Sequence, residues 1–275
     1  MASTLETRSF ALTPEQVASY DERGYVLARR LLRPDEVMEI AGRCDALHAR
    51  VTVPGCFNAV PLEEARAQGD ILKAYPRMMH PHRVDDVLKR AMLHPAFAVV
   101  LEQLLGEEAI AAQSMFYWKP PAARGQAFHQ DNFYLKVHPG TCIAAWVAVD
   151  ANDEENGCLF VAPGSHRLDI FCPEEADANV SFTKDFVPEP EGLEQVAVPM
   201  AAGDVLFFGG NLIHGSFPNR SRDRFRRSFI CHYAGLSARE LSKYYAPLYD
   251  MRGDQVQREV SQWGGLCGVE VSTPH

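Results

Sequence analysis

Apolar positions in the first third of the chain recur at helical spacing. Thr13-Pro14-Glu15-Gln16 has the form of a capping box with proline at the first helical position. Val17 and Tyr20 follow on one face, and Gly24 ends the segment. GYVLARRLL reads as a short strand leading to Pro34, which opens a second helix. Its apolar stripe is Val37, Ile40, Ala41, Cys44 and Leu47. Residues 51 to 80 hold neither period and are rich in turn residues, the pattern of a loop over a pocket. Two short helices follow, divided at His94-Pro95 and closed by Gly106.

From residue 108 the period changes. AIAAQSMFYW, TCIAAWVAV, GCLFVA, QVAVPM, DVLFFGG and FRRSFICHYA are short β-rich runs. Turn clusters at Asn156-Gly157, Pro163-Gly164 and Asn219 to Asp223 separate them. Many short strands without intervening helices imply an antiparallel sandwich or barrel. The expected architecture is one domain over residues 1–275, mainly β with buttressing helices. Residues 1–107 form a mostly helical part, 108–240 the β core, and 241–275 a C-terminal segment packed outside it.

Composition narrows the function class. A net charge of −9 over 275 residues argues against a nucleic-acid or anionic-membrane surface. No stretch is long enough to span a bilayer, and MASTLETRSFALTPEQ has no apolar leader core. The seven cysteines are odd in number, scattered and never in a CxxC, which suits reduced thiols in a cytoplasmic protein.

The chemistry concentrates in AFHQDNF, residues 127 to 133. His129 and Asp131 share a face if the segment is extended, which suits either a metal site or an ordinary His–Asp hydrogen bond. A facial iron site needs two histidines and one carboxylate. His214, after the apolar run DVLFFGG, is the candidate for the third ligand. His80, His82, His138 and His166 sit beside prolines or turns and read as surface or turn residues. In FRRSFICHY, strand alternation puts Arg226, Ser228, Ile230 and His232 on one face and Arg227 on the other. Arg226 is the inward choice, because a dicarboxylate needs a planar bidentate partner. Arg220, Arg222 and Arg224 read as a solvated basic turn.

LTPEQVASYDERGYVLARRLLRPDEV, FHQD, AAWVAVDANDEENGCLFVAPGSH and HGSFPNRS together resemble the phytanoyl-CoA dioxygenase-like family of Fe(II)/2-oxoglutarate-dependent oxygenases. The resemblance covers most of the chain and implies a double-stranded β-helix, a jelly-roll of the cupin type. It implies that Fe(II), 2-oxoglutarate and O2 are used to hydroxylate a small molecule, with succinate and CO2 as co-products. By position, His129, Asp131 and His214 would hold the iron and act as the catalytic centre. Arg226, helped by Ser216, would bind the far carboxylate of 2-oxoglutarate, and Gln130, Trp146 and Tyr117 would line the co-substrate pocket.

The family's arginine stands eleven positions after the second histidine, where this chain has Phe225. One extra turn residue in RSRDRFRR would shift it to Arg226 and leaves Arg227 as an alternative. Asp131 fills the place that related halogenases give to a small residue, so halogenation is disfavoured. Two other readings stay open at this level: a zinc-dependent hydrolase using the same three ligands, and a non-catalytic jelly-roll binding protein. Substrate is expected to meet residues 51 to 80, YLKVHPG and 167 to 195. Lys73, Arg77, Tyr134, Lys136 and Phe171 lie there without an assigned role, and the oligomeric state is open.

Overall fold

The computed structural model describes residues 10–261. Helix α1 (Pro14–Arg23) begins on the reciprocal cap anticipated above. Thr13 Oγ1 accepts from the Gln16 N–H at 3.3 Å, while the Gln16 amide oxygen accepts from the Thr13 N–H at 2.9 Å. It ends at Gly24, whose φ of 84° suits a residue without Cβ. Helix α2 (Pro34–His48) buries Val37, Ile40, Cys44 and Leu47. Helices α3 (Asp86–Met92) and α4 (Pro95–Leu105) flank His94-Pro95, and Gly106 closes α4 in the left-handed region.

The strands of the two main sheets are β1 (Tyr25–Ala28), β2 (Met78–Met79), β3 (Ala109–Tyr117), β4 (Gln126–His129), β5 (Ile143–Ala148), β6 (Leu159–Val161), β7 (Val196–Val198), β8 (Val205–Gly209), β9 (His214–Ser216), β10 (Ser228–Gly235), β11 (Leu248–Asp250) and β12 (Gln255–Val256). Eight of them form one sheet in the order β1-β8-β5-β10-β3-β11-β12, with β2 also on β3. A four-stranded sheet, β7-β6-β9-β4, faces it. All these pairings are antiparallel. The two facing sheets give the expected double-stranded β-helix.

Each strand of the large sheet has two working faces, and alternation sorts them. Ala145, Val147, Phe207 and Phe229 point outward and pack with Phe97, Val100 and Leu101 of α4 and with the stripe of α2. The helices therefore buttress the sheet from outside. Met115, Tyr117, Trp146, Leu206, Phe208 and Ile230 point inward, against Leu159 and Val161 of the small sheet. Both faces are buried, which explains why these strands read as continuous apolar runs rather than as alternating ones.

Three features differ from the sequence reading. The N-terminal part contributes two strands to the large sheet, β1 and β2, and β2 falls in the segment read as irregular. The segment after residue 241 adds β11 and β12 to the far edge of the sheet, while residues 262–275 lie outside the described residues. Cys44, Cys56, Cys142, Cys158 and Cys231 are buried free thiols, but Cys172 is disulfide-bonded. Cysteine number and spacing along the chain carry no information about which sulfurs the fold brings close.

Two glycines give opposite tests of this packing. A Cβ on Gly125, at the entry to β4, would lie 2.0 Å from the Ser216 carbonyl oxygen, so only glycine allows β4 to approach β9 there. Gly42, inside α2, has nothing within 4 Å of such a Cβ. Gly125→Ala is expected to cost roughly 1–3 kcal/mol by overpacking. Gly42→Ala is expected to stabilise by about 0.5–1 kcal/mol through helix propensity. Urea unfolding midpoints of the two variants check both signs.

Candidate metal centre

β4 and β9 pair so that His129 and His214 are direct cross-strand partners, with ring centroids 4.3 Å apart. The register slips between His214 and Ser216, a bulge of the kind that re-aims side chains beside active sites. Each imidazole has its Nδ1 near a carbonyl two residues back, Ala127 O at 2.7 Å for His129 and Leu212 O at 2.9 Å for His214. Nδ1–H is thus the donor in both, and both Nε2 atoms are turned inward. Asp131 does not lie on the same strand as His129. β4 stops at His129, and Asp131 takes helical angles at the start of the short helix α5 (Asn132–Leu135).

The three side chains are buried, and their ligand atoms all lie within 4.8 Å of one another. Asp131 Oδ1 is 3.5 Å from His129 Nε2 and 3.7 Å from His214 Nε2. A single ion placed between them would face all three. They are the one group of three or more such ligands found among the described residues. The other carboxylate oxygen, Oδ2, accepts from His232 Nε2 at 3.0 Å. His232 comes from β10 of the large sheet, so it fixes the carboxylate from the opposite wall.

Burial by itself would raise the Asp131 pKa. The surrounding imidazoles of His214, His232 and His129, with the hydrogen bond from His232, outweigh it and hold the carboxyl well below the usual range. For His214, burial dominates and pushes the imidazole down to about 4. A carboxylate facing two imidazole Nε2 atoms, with each Nδ1 engaged by a carbonyl, is the donor set a divalent ion requires.

A narrow cavity opens on Asp131 and His214, with Tyr117, Trp146, Ser216, Arg226, Gln126 and His232 among its walls. Arg226 is 3% exposed, and its guanidinium donates to Gly157 O at 3.1 Å and Ser228 Oγ at 3.0 Å. It also lies 5.3 Å from the Trp146 ring centre. Among the described residues no carboxylate pairs with it. Burial lowers its pKa to about 10. Arg227 points the other way, to Asp150 at 2.8 Å and Asp45 at 3.6 Å, outside the cavity. Arg224 of the preceding turn pairs with Asp153 and Glu155.

Most of the residues read from the sequence therefore converge, but Gln130 does not line the cavity. Its amide donates to Asn211 O at 2.8 Å and Asp169 O at 3.2 Å, and it accepts from the Phe171 N–H at 2.8 Å. As the residue between two inward ligands, it projects away from them and pins the neighbouring loops. Gln126 takes a cavity position instead, its amide nitrogen 3.2 Å from His129 Nε2.

Two further groups went unassigned. His232 carried a signal, since it shares the face of Arg226 in the alternation of β10. Lys119 carried only a lysine closing an apolar run. It is 2% exposed, and Nζ donates to Ser216 Oγ at 2.8 Å and Phe217 O at 2.6 Å. Burial, and then Arg226, drive its pKa well below the usual lysine range.

His80 and His82 are not surface residues: they are 4% and 3% exposed. Their turn is packed under the edge of β3, with the His80 N–H on Ser114 O at 2.8 Å and His82 Nδ1 2.7 Å from Ser114 Oγ. A proline-flanked polar loop looks exposed until a sheet edge covers it. Burial pushes both imidazoles down to about 3.

These depressed histidines fix the sign of a pH effect. The unfolded chain protonates near pH 6.5, while His80, His82 and His214 in the folded chain resist protonation until about 3 to 4. Their stabilisation is complete above about pH 6.5 and is lost as pH falls, by up to about 1.4 kcal/mol per pH unit for each. The urea midpoint of metal-free protein should therefore drop between about pH 7.5 and 5, and drop less in His80→Gln. A midpoint unchanged over that range would contradict the burial of these rings.

Residues 20–228 match the model of the family described as phytanoyl-CoA dioxygenase (PhyH). Rice phytanoyl-CoA dioxygenase 1 is 30% identical over 242 residues, covering 77% of this chain and 85% of the relative. Mouse peroxisomal phytanoyl-CoA dioxygenase is 28% identical over 237 residues, covering 81% and 68%. Among solved structures, the epimerase SnoN in complex with Fe3+, alpha ketoglutarate and nogalamycin RO superposes with a TM-score of 0.64 at 26% identity, over 82% of this chain and 84% of that one. The carbocyclase SnoK from nogalamycin biosynthesis gives 0.66 at 25%, over 83% and 86%. EctD from S. alaskensis with bound Fe, at 23% identity and a TM-score of 0.68 over 93% and 90%, shares the fold. With the matched span running from the first helix through both sheets to the start of β10, the chain belongs to the phytanoyl-CoA dioxygenase family and is an iron(II)- and 2-oxoglutarate-dependent dioxygenase.

Proposed function

We propose that this dioxygenase hydroxylates a small molecule, with His129, Asp131 and His214 as the iron ligands and Arg226 as the anchor for 2-oxoglutarate. One observation carries the assignment. A buried guanidinium without a carboxylate partner among the described residues shares a cavity with the His–Asp–His cluster. A dicarboxylate that reaches from the cluster to Arg226 supplies the missing charge, and the fork of Arg226 suits it. A zinc hydrolase has no use for that cation, and a binding module that had lost catalysis has no need of the triad.

Bound iron(II) supplies the oxidising chemistry, converting 2-oxoglutarate and O2 to succinate and CO2 as the substrate carbon is hydroxylated. The chain's own residues prepare the geometry. His232 holds Asp131 Oδ2, so that Oδ1 stays turned towards the two Nε2 atoms. The carbonyls of Ala127 and Leu212 fix the tautomers of His129 and His214. Arg226, with Ser216 held by Lys119, orients the far carboxylate of the co-substrate. Trp146 and Tyr117 wall the cavity and keep water from the inner end.

We read residues 1–275 as a single catalytic domain acting in the cytoplasm without nucleic-acid or membrane partners. The net charge of −9 supports the absence of nucleic-acid partners, and the buried free thiols support the cytoplasm, with the disulfide at Cys172 the one observation against it. Among the described residues, no helix is long and apolar enough to cross a membrane.

Anaerobic titration with Fe(II) and then 2-oxoglutarate tests the assignment through the visible metal-to-ligand charge-transfer band. The band is expected in wild type and absent in His214→Ala. Arg226→Ala should weaken 2-oxoglutarate binding by roughly 100-fold, about 3 kcal/mol. Arg227→Ala should leave it nearly unchanged. Iron binding without the band in wild type would overturn the site assignment.

A further inference from the structure

We propose that Arg77 is a substrate-binding residue, and that the primary substrate carries a carboxylate or phosphate which Arg77 receives. The inference rests on the oxygenase site above and goes on to name its substrate class.

Arg77 immediately precedes β2, and the pairing of Met78 with Phe116 and Met79 with Met115 sets it beside Tyr117. Its guanidinium donates to the Tyr117 hydroxyl at 3.1 Å and lies 5.7 Å from that ring's centre. Tyr117 is a wall of the metal cavity. Arg77 therefore adjoins the cavity at Tyr117, one of its walls.

Its charge has no fixed counterpart. Arg124, Arg224 and Arg227 each pair with carboxylates. Among the described residues no carboxylate lies within ion-pair distance of Arg77. Asp185, the acidic group near Tyr134, instead accepts from the Tyr134 hydroxyl at 2.7 Å. One N–H of the guanidinium is used on a phenol, which leaves a half-buried fork for an anion in bidentate geometry. The co-substrate already has Arg226 at the closed end of the cavity. A second dicarboxylate is not needed there, so Arg77 is left to the molecule that is oxidised. Charge pairing at Arg77 would also fix which carbon faces the metal, since the substrate would be held at a point removed from its reacting bond.

The test uses protein loaded with Mn(II) and 2-oxoglutarate, which occupies Arg226 and prevents turnover. Benzoate, phenyl phosphate and the neutral benzamide are titrated calorimetrically into wild type, Arg77→Gln and Arg77→Lys. At least one of the two anions should bind wild type, lose about tenfold or more in Arg77→Gln and fall between in Arg77→Lys. Benzamide should not bind. Preference between benzoate and phenyl phosphate distinguishes a carboxylate from a phosphate substrate. Binding of neither anion, equal binding of benzamide, or unchanged anion affinity in Arg77→Gln would overturn the proposal. The Fe(II)/2-oxoglutarate charge-transfer band is measured on the same variants. It should match wild type in Arg77→Gln, which shows an intact fold, whereas its absence from wild type would remove the underlying oxygenase site instead.

Discussion

Antiparallel pairing of β4 with β9 sets His129 opposite His214 and leaves a narrow gap between the two sheets where their Nε2 atoms meet. Everything chemical in the molecule is arranged around that gap. Gly125 has no side chain because β9 passes within 2.0 Å of where a Cβ would be. Asp131 reaches the same point only because the chain turns into a helical conformation straight after β4. The large sheet answers from the other side with His232, whose hydrogen bond leaves one carboxylate oxygen to face both imidazoles.

Such a site is expensive to bury, and its charges are organised to reduce that cost. An ionised carboxylate in the interior is tolerable when imidazoles and hydrogen bonds surround it. Arg226 and Lys119, close together at the inner end, repel one another and are desolvated. That combination is unfavourable without a compensating negative charge. The apolar walls formed by Trp146, Phe208 and Ile230 raise the strength of each polar contact by lowering the local dielectric. Outside, the helical face of the sheet carries ordinary apolar packing and leaves this interior free to be polar.

Much of the framework was legible in the residues. The cap at Thr13, the stops at Gly24 and Gly106 and the break at His94-Pro95 are local devices, set by atoms within a few positions along the chain. The β runs were readable from composition, and HxD with a later histidine picked out the three side chains that the fold brings together. Arg226 was separable from Arg227 by alternation, and the structure turns them to opposite sides. Gln130, expected by position to line the pocket, instead turns to the Asn211 and Asp169 carbonyls, because the strand ends at His129 and the chain bends there. The two-residue strand β2 was missed because a pair of methionines carries no period.

The sequence by itself determined the element types, the ligand chemistry and the family, because these depend on residue kinds at short spacing. Only tertiary structure decided that His80 and His82 are buried, that Lys119 supports Ser216, and that His232 grips Asp131. The same holds for the contact of Arg77 with the Tyr117 hydroxyl. Each of those facts depends on which strand lies beside which and in what register. Register is set by many weak contacts distributed over both sheets, and no short stretch of the chain contains it.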